Sequence, residues 1–273
     1  MTTEVLLAAN DPVPKLRLRG LTKSFGKKRV LDGLCLDVYP GESVVIMGPS
    51  GEGKSVLLKH MIGLLRPDAG SLEIDGVDFW AASERERNEL RRRFGMAFQE
   101  GALFDSMTVF ENVAFPLRRH TRLREEEIAG RVRECLRMVR LGEVEERRPS
   151  ELSTGMRRRV GFARAMALQP QILLFDEPTA GLDNVMVTVI DRVITDVHQR
   201  LRATTVMVTH DLTSARAVAQ RVALLLRGRI VVEAPVDTFF GLAHPAVRQL
   251  VEGRLEGPIL PEEEAGAFEE VHP

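Results

Sequence analysis

The sequence predicts an α/β protein whose core is a parallel β-sheet, with a second, antiparallel sheet and an inserted helical subdomain. Three short apolar runs, SVVIM (43–47), QILLFD (171–176) and TTVMVT (204–209), have the character of strands that are buried on both faces. Stretches with the apolar spacing of helices separate these runs. Such alternation of buried strands and helices is typical of a parallel sheet.

The N-terminal part supplies the predicted antiparallel sheet. Residues 1–14 form a polar tail that closes with DPVP, and KLRLRGL (15–21) and GLCLDV (33–38) then alternate polar and apolar residues. This alternation indicates half-buried strands. After SVVIM and a glycine-rich turn, the spacing predicts a helix over Lys54–Leu65.

The middle of the chain, about 91–168, is predicted to be mostly helical and to form the inserted subdomain. Apolar residues recur there at helical spacing, at Ile128, Val132, Leu136 and Val139.

The C-terminal part is predicted to close the main domain, which we place at 15–250. VALLLRGRIVVE (222–233) is typical of two strands joined by Arg227–Gly228, and Pro245 favours the start of a short helix. The extension at 251–273 is rich in Glu and Pro and is either mobile or ordered only against a partner.

Composition limits the classes of function. The formal net charge of −1 over 273 residues does not indicate a strongly basic nucleic-acid binder. Cys35 and Cys135 are far apart and are predicted to be reduced core residues. No apolar run approaches the ~18 residues of a bilayer-spanning helix, and the first residues lack the pattern of a signal peptide. We expect a protein that is soluble or that reaches a membrane only through a partner.

One glycine-rich segment has the pattern of a phosphate-binding loop. It follows the buried strand SVVIM, precedes a predicted helix and matches G-x-x-x-x-G-K-S at every fixed position. Lys54 can reach the β and γ phosphates of a nucleotide, and the Ser55 hydroxyl suits Mg²⁺. The candidate phosphate-binding residues are Gly48, Pro49, Ser50, Gly51, Glu52, Gly53, Lys54 and Ser55.

Two other buried strands end in candidate catalytic groups. Asp176 ends QILLFD, at the edge of a parallel sheet where ligands bind, and suits a carboxylate for Mg²⁺. Glu177 follows directly and can polarise the water that attacks the γ phosphate. His210 follows TTVMVT at the same edge, where we expect it to contact the γ phosphate.

The ordered motifs GPSGEGKS, FQEGALF, ELSTGM, LLFDEP, AGLD and VTHD resemble those of the ATP-binding cassette (ABC) ATPases of membrane transporters. The resemblance spans about 16–250 and implies a P-loop NTPase fold with a RecA-like core, ATP as substrate and Mg²⁺ as cofactor. By position it implies that Phe25 stacks on adenine and that Gln99 joins the Mg²⁺ and water network as a ligand. Asp183 would couple two sites across a dimer.

In that family two cassettes pack head to tail, so the resemblance implies a self-dimer. ELSTGM would be the signature loop, facing the γ phosphate held by Lys54 of a second copy. Ser153 would cap the following helix, and Gly155 would let the backbone come close to the phosphate.

The signature departs from the usual Leu-Ser-Gly-Gly-Gln. Thr154 replaces the first glycine, which predicts an ordinary backbone there, and Met156 replaces the glutamine. Of the arginines that follow, Arg159 matches a usual one, and Arg157 and Arg158 are expected at the surface.

Two segments, 98–123 and 247–259, resemble the ATPase subunits of Mla/Mce-type lipid transporters. This implies lipid cargo, a multi-spanning permease that docks on Gln99–Leu117, a periplasmic Mce-type lipid-binding component and a small cytoplasmic regulator. It also implies a peripheral location at the cytoplasmic face of the inner membrane. An ABC importer ATPase for a small polar solute stays open, as does a soluble cassette without transport. No nucleic-acid partner is expected, because a single cassette without a long coiled coil is unlike the nucleic-acid clamps.

Overall fold

The computed structural model of the protein describes residues 13–259. The predicted tail at 1–14, apart from its last two residues, lies outside the described residues. The same holds for the C-terminal segment 260–273, for which the sequence left contact with a neighbouring copy and disorder equally open.

Within the described range, ten strands form two sheets. The strands are β1 (Leu16–Phe25), β2 (Lys28–Val38), β3 (Ser43–Met47), β4 (Ala69–Ile74), β5 (Val77–Asp78), β6 (Phe94–Ala97), β7 (Ile172–Asp176), β8 (Thr204–Thr209), β9 (Arg221–Leu226) and β10 (Arg229–Pro235). The smaller sheet is antiparallel, in the order β2-β1-β4-β5. The larger has the order β10-β9-β3-β8-β7-β6 and is parallel except for β10.

The helices complete the layers around the sheets. They are α1 (Lys54–Met61), α2 (Glu84–Arg91), α3 (Val109–His120), α4 (Glu125–Met138), α5 (Thr154–Met166), α6 (Asn184–Leu201), α7 (Leu212–Val218), α8 (Val236–Phe239) and α9 (Pro245–Glu252). None of the helices in 13–259 combines the length and hydrophobicity needed to cross a lipid bilayer.

The central strand β3 shows why both faces of the large sheet are apolar. Successive side chains of a strand point to opposite faces, so a strand covered on both sides is continuously hydrophobic. Val44 and Ile46 pack in a core with α1 and the small sheet, and Val45 and Met47 pack in a second core beneath α3–α6. The strand β3 is therefore packed on both faces up to the edge where the glycine-rich loop begins.

Three sequence predictions, on one strand, one helix end and one cysteine, differ from the structure. Phe94–Ala97 lies in the stretch predicted to be helical but forms β6, because its backbone pairs with β7 in the parallel sheet. The helix predicted over Lys54–Leu65 ends at Met61. Cys135 is buried as predicted, and burial raises its thiol pKa to about 11, but Cys35 is exposed because Leu34 and Leu36 take the inward positions of β2.

Candidate functional site

The glycine-rich loop joins β3 to α1 and wraps around a lysine. Gly53 precedes α1 with φ 90°, a conformation that other residues rarely adopt, and a Cβ there would lie 2.6 Å from Val30 Cγ1. Lys54 is buried, and its Nζ donates to the carbonyl oxygens of Gly48 and Pro49, both at 2.8 Å. The loop thus presents backbone groups and one buried cation to a common centre.

Asp176 lies at the end of β7, opposite the start of α1. The Ser55 hydroxyl donates to Asp176 Oδ1 at 2.8 Å. Burial raises the pKa of the Asp176 carboxyl, the bond from Ser55 opposes that rise, and the charge of Glu177 adds to it. A cation at this position would favour the ionised carboxylate.

Glu177 lies between Lys54 of the loop and His210, which follows β8. Its Oε1 is 3.3 Å from Lys54 Nζ, and its Oε2 is 3.0 Å from His210 Nδ1. The backbone of Glu177 has φ 45°, in the left-handed region that costs a non-glycine residue free energy. The carboxylate is mostly covered, whereas about half of the His210 side chain faces solvent.

A surface cavity of about 420 Å³ opens over Lys54, Ser55 and Glu177, whereas Asp176 and His210 do not line it. Its lining includes predicted residues, namely Ser50, Gly51, Gly53, Lys54, Ser55, Gln99 and Glu177. It also includes three residues that the sequence did not indicate, Lys28, Val30 and Val56, because their place depends on how β2 and α1 pack beside the loop. Ser153, Gly155 and Asp183 do not line it, and Phe25 is exposed at the end of β1.

The residues present fit a nucleotide and a magnesium ion. Loop glycines with no room for a Cβ and a buried lysine form a cradle for phosphates. Ser55, Asp176 and Gln99 offer hydroxyl, carboxylate and amide oxygens, which are the donors that Mg²⁺ prefers. Glu52, by contrast, accepts a bond from the backbone N–H of Arg227, so its side chain braces the loop against the β9–β10 turn.

The signature segment begins α5 away from the cavity of its own chain. Ser153 is the N-cap and accepts a hydrogen bond from Met156 N at 3.3 Å, as predicted. Thr154 is the first helical residue and has an ordinary backbone, also as predicted. A Cβ at Gly155 would lie 2.5 Å from Met186 Cε, so this glycine lets α5 pack closely on α6, whose N-cap is Asp183.

The three consecutive arginines near the start of α5, Arg157–Arg159, differ in position, and the surface prediction is wrong for one of them. The guanidinium of Arg157 donates a hydrogen bond to the carbonyl oxygen of Leu152 at the helix start, and that of Arg159 donates to the carbonyl oxygen of Arg140. Arg158 is only 4% exposed, because it lies on the face of α5 that packs against the loop after Glu177.

A buried polar cluster that the sequence did not indicate begins at Thr179, two residues after Glu177. Thr179 Oγ1 is 3.2 Å from Ser214 Oγ on α7, and Ser214 Oγ is 3.1 Å from Asp191 Oδ2 on α6. Burial raises the pKa of Asp191 to about 6; the bond from Ser214 opposes the rise and the nearby charge of Asp211 adds to it. The spacing of apolar residues in α6 does not show that this aspartate is buried, because its hydrogen-bonding partner lies on a distant segment of the chain.

The Asp191 carboxyl makes the stability of the fold depend on pH. Its pKa is higher folded than unfolded, so its contribution is complete below the unfolded value of 3.8 and is lost as pH rises through about 6. Asp191→Asn removes the titration. We therefore expect Asp191→Asn to gain stability relative to the unaltered protein as the pH rises. The difference between their free energies of unfolding (variant minus unaltered) should be roughly 2 kcal/mol larger at about pH 8 than at about pH 4.5. Denaturant titrations of both proteins at the two pH values measure this. The same stability difference between the two proteins at both pH values would contradict it.

The segment Gln99–Leu117 carries an exposed aromatic pair. Phe104 and Phe115 are 43% and 42% exposed, with ring centroids 5.0 Å apart. Val109 is fully buried, and Leu103 and Phe110 pack partly against the core. Buried Asn112 fixes the preceding loop, since its side-chain amide bonds both backbone groups of Phe104 and the carbonyl of Met107.

Comparison with known proteins identifies relatives over most of this chain. A family model described as ABC transporter matches residues 31–180. A probable ribonucleotide transport ATP-binding protein, mkl, of Mycobacterium leprae is 46% identical over 244 residues, covering 89% of this chain and 70% of that protein. The intermembrane phospholipid transport ATP-binding protein MlaF of Haemophilus influenzae is 38% identical over 89% of this chain and 92% of its own length. The sulfate/thiosulfate import ATP-binding protein CysA of Bradyrhizobium diazoefficiens is 40% identical over 89% of this chain and 71% of its own.

Solved structures share the architecture. The dimeric structure of MJ0796, a bacterial ABC transporter cassette, superposes with a TM-score of 0.75 at 34% identity, covering 81% of this chain and 98% of that one. A dimeric post-hydrolysis state of the same cassette, bound to ADP and Pi, gives a TM-score of 0.73 at 33% identity over the same shares.

Proposed function

Because this chain belongs to the ABC transporter family of ATP-binding proteins and is an ATPase, we propose that it powers the movement of phospholipid or another hydrophobic lipid between membranes. The observation that carries the cargo class is the likeness to phospholipid-transport ATPases over nearly their whole length. The ATPase domain spans 15–250 in this proposal, with the helical insert at about 91–168 and an extension at 251–273.

The geometry of the cavity supports a division of roles in hydrolysis. Lys54 holds the β and γ phosphates, and Glu177 accepts the proton of the attacking water. His210 orients Glu177 through Nδ1 and contacts the γ phosphate. Phe25, which is exposed on β1 and pairs with the cavity-lining Lys28 of β2, stacks on adenine.

Magnesium completes this site in the proposal. Ser55, Asp176 and Gln99 would hold the ion, which would neutralise developing phosphate charge when bound. The Ser55–Asp176 bond already fixes two of these oxygen donors at the mouth of the phosphate loop.

The signature end of α5 supports a head-to-tail dimer. Ser153 lies outside its own chain's cavity and caps an open helix N-terminus, which favours anions. A second copy turned head to tail would bring the γ phosphate held by its Lys54 to Ser153 and Gly155. Asp183, at the start of α6, would lie between the two sites.

The Phe104–Phe115 pair supports a docking surface for an integral membrane permease. Phe104 lies on the loop fixed by Asn112 and Phe115 lies on α3, and such an exposed pair of large aromatic rings is the type of anchor that protein interfaces use. Through this contact the chain would lie at the cytoplasmic face of the inner membrane. A periplasmic Mce-type component and a small cytoplasmic regulator complete the proposed assembly.

A charge at Phe115 is expected to separate the ATPase from the permease. Phe115→Asp buries a carboxylate in the proposed interface, so co-purification of the permease should fall at least about 10-fold, since hot-spot changes cost 2 kcal/mol or more. ATP hydrolysis by the isolated chain should persist. Val77→Asp, at an equally exposed apolar residue on β5, is the matched control. Equal permease recovery with both variants would count against this surface.

The cargo class is tested on the intact assembly. The chain is co-purified with its permease, and molecules bound to the complex are identified by mass spectrometry. Bound phospholipid supports the proposal. A small anion or amino acid without lipid would favour the solute-importer alternative. The likeness to the sulfate/thiosulfate import protein supports that alternative. Recovery of ribosomes or DNA without a membrane protein would favour a cassette without transport.

A further inference from the structure

Arg158 connects α5 to the segment that carries the candidate catalytic carboxylate. Its guanidinium donates from Nη1 to the carbonyl oxygen of Pro178 at 3.0 Å and from Nη2 to the carbonyl oxygen of Ala180. These residues flank Thr179, in the turn immediately after Glu177. One buried side chain of the signature helix therefore holds both ends of this turn.

The same turn is held from its other side by the helix that follows His210. The hydroxyl of Thr179 contacts Ser214 on α7, and Ser214 contacts Asp191. All three side chains are buried, where water does not compete for hydrogen bonds. Residues 178–180 thus lie in a clamp between α5 and α7.

Glu177, which directly precedes this clamp, has an unusual backbone conformation, and its backbone N–H donates to the carbonyl of Val208 at 3.0 Å. Its left-handed φ of 45° persists only where the surroundings determine it. Ala180 N donates to the Glu177 carbonyl at 3.3 Å, while the Ala180 carbonyl accepts from Arg158. A displacement of the guanidinium therefore reaches Glu177 through a single intervening residue.

We propose that Arg158 is a positioning residue that couples the signature end of α5 to Glu177 of the same chain. The inference rests on the proposed head-to-tail dimer, in which the N-terminus of α5 faces nucleotide held by the second copy. Ser153 and Arg158 lie on one helix, about one and a half turns apart, so a shift of the helix moves both. Each chain thereby links the occupancy of one site to the carboxylate that serves the other.

The guanidinium fork is suited to this task, and α4 provides a matched reference. Lysine has a single charged nitrogen on a flexible stem and does not reproduce two donors in fixed geometry. Arg131 donates to the carbonyls of Met166 and Ala167, both at 3.1 Å, at the opposite end of α5. Its bonds are of the same kind, but they do not touch the turn after Glu177.

The test compares Arg158→Lys with Arg131→Lys in the full chain. Turnover is measured per nucleotide-bound chain, which corrects for any loss of folded protein, and Arg158→Gln serves as a second variant. We expect Arg158→Lys to lower turnover about 10- to 100-fold, as expected for a misplaced catalytic group, while the affinity for ATP stays within about 2-fold. Arg131→Lys should leave turnover per bound chain unchanged.

A double-mutant cycle separates positioning from packing. If Arg158 acts through Glu177, Arg158→Lys has no further effect on the residual hydrolysis of Glu177→Gln, and ATP-driven dimerisation of that double variant is retained. Equal losses of turnover in both backgrounds, or equal losses with Arg131→Lys, overturn the proposal. Absence of both turnover and ATP-driven dimerisation in the unaltered protein would refute the proposed function itself, and this inference with it.

Discussion

Glu177→Gln is expected to lower steady-state ATP hydrolysis by about 10²- to 10⁴-fold, the contribution typical of a general base. The amide has nearly the shape of the carboxylate: its oxygen can still accept from Lys54, and its NH₂ can donate to Nδ1 of a neutral His210, so the cavity keeps its geometry. It cannot accept the proton of the attacking water. ATP binding should be retained, because removing a negative charge beside the phosphates does not oppose it.

Retained binding without hydrolysis should hold the protein in its ATP-bound form. With Mg²⁺ and ATP, the variant is expected to form a long-lived dimer that gel filtration or light scattering detects. Glu126→Gln, at an exposed glutamate of α4, is the matched control and should hydrolyse ATP at the normal rate. Unchanged steady-state hydrolysis by Glu177→Gln would show that another group activates the water.

Those parts of the fold and site that depend on local pattern could be predicted from the sequence. The run at β3 is apolar at every position because both faces of the sheet are covered, and that is visible without coordinates. Likewise, the loop around Lys54 has a spacing that follows from wrapping backbone N–H groups around phosphates. The strands ending at Asp176 and Thr209 indicated where Glu177 and His210 would meet.

The features that could not be predicted depend on contacts between distant segments. The four residues of β6 have no strand signal of their own and owe their conformation to pairing with β7. Arg158 belongs to a run of three arginines, and only the packing of α5 on the turn after Glu177 separates the buried one from its neighbours. The Asp191–Ser214 contact joins two helices, and the sequence does not show that these helices lie next to each other.

A mixture of two inactive chains, Lys54→Ala and Ser153→Asp, is expected to recover ATP hydrolysis. Lys54→Ala removes the cation that we propose to hold the phosphates. Ser153→Asp keeps a good helix N-cap but places a negative charge where the partner's γ phosphate would lie. Each chain alone should therefore lose most of its activity, while one site of the mixed dimer combines an intact phosphate loop with an intact signature.

The size of the recovery follows from symmetry. In an equal mixture half of the dimers are mixed, and each has one complete site of two, so about a quarter of the normal rate is expected if the sites act independently. Ser153→Asn, a neutral residue that caps helices equally well, should retain activity and so isolates the effect of charge. A mixture no more active than its separate chains would contradict a head-to-tail arrangement, because a site built within one chain cannot be restored by another.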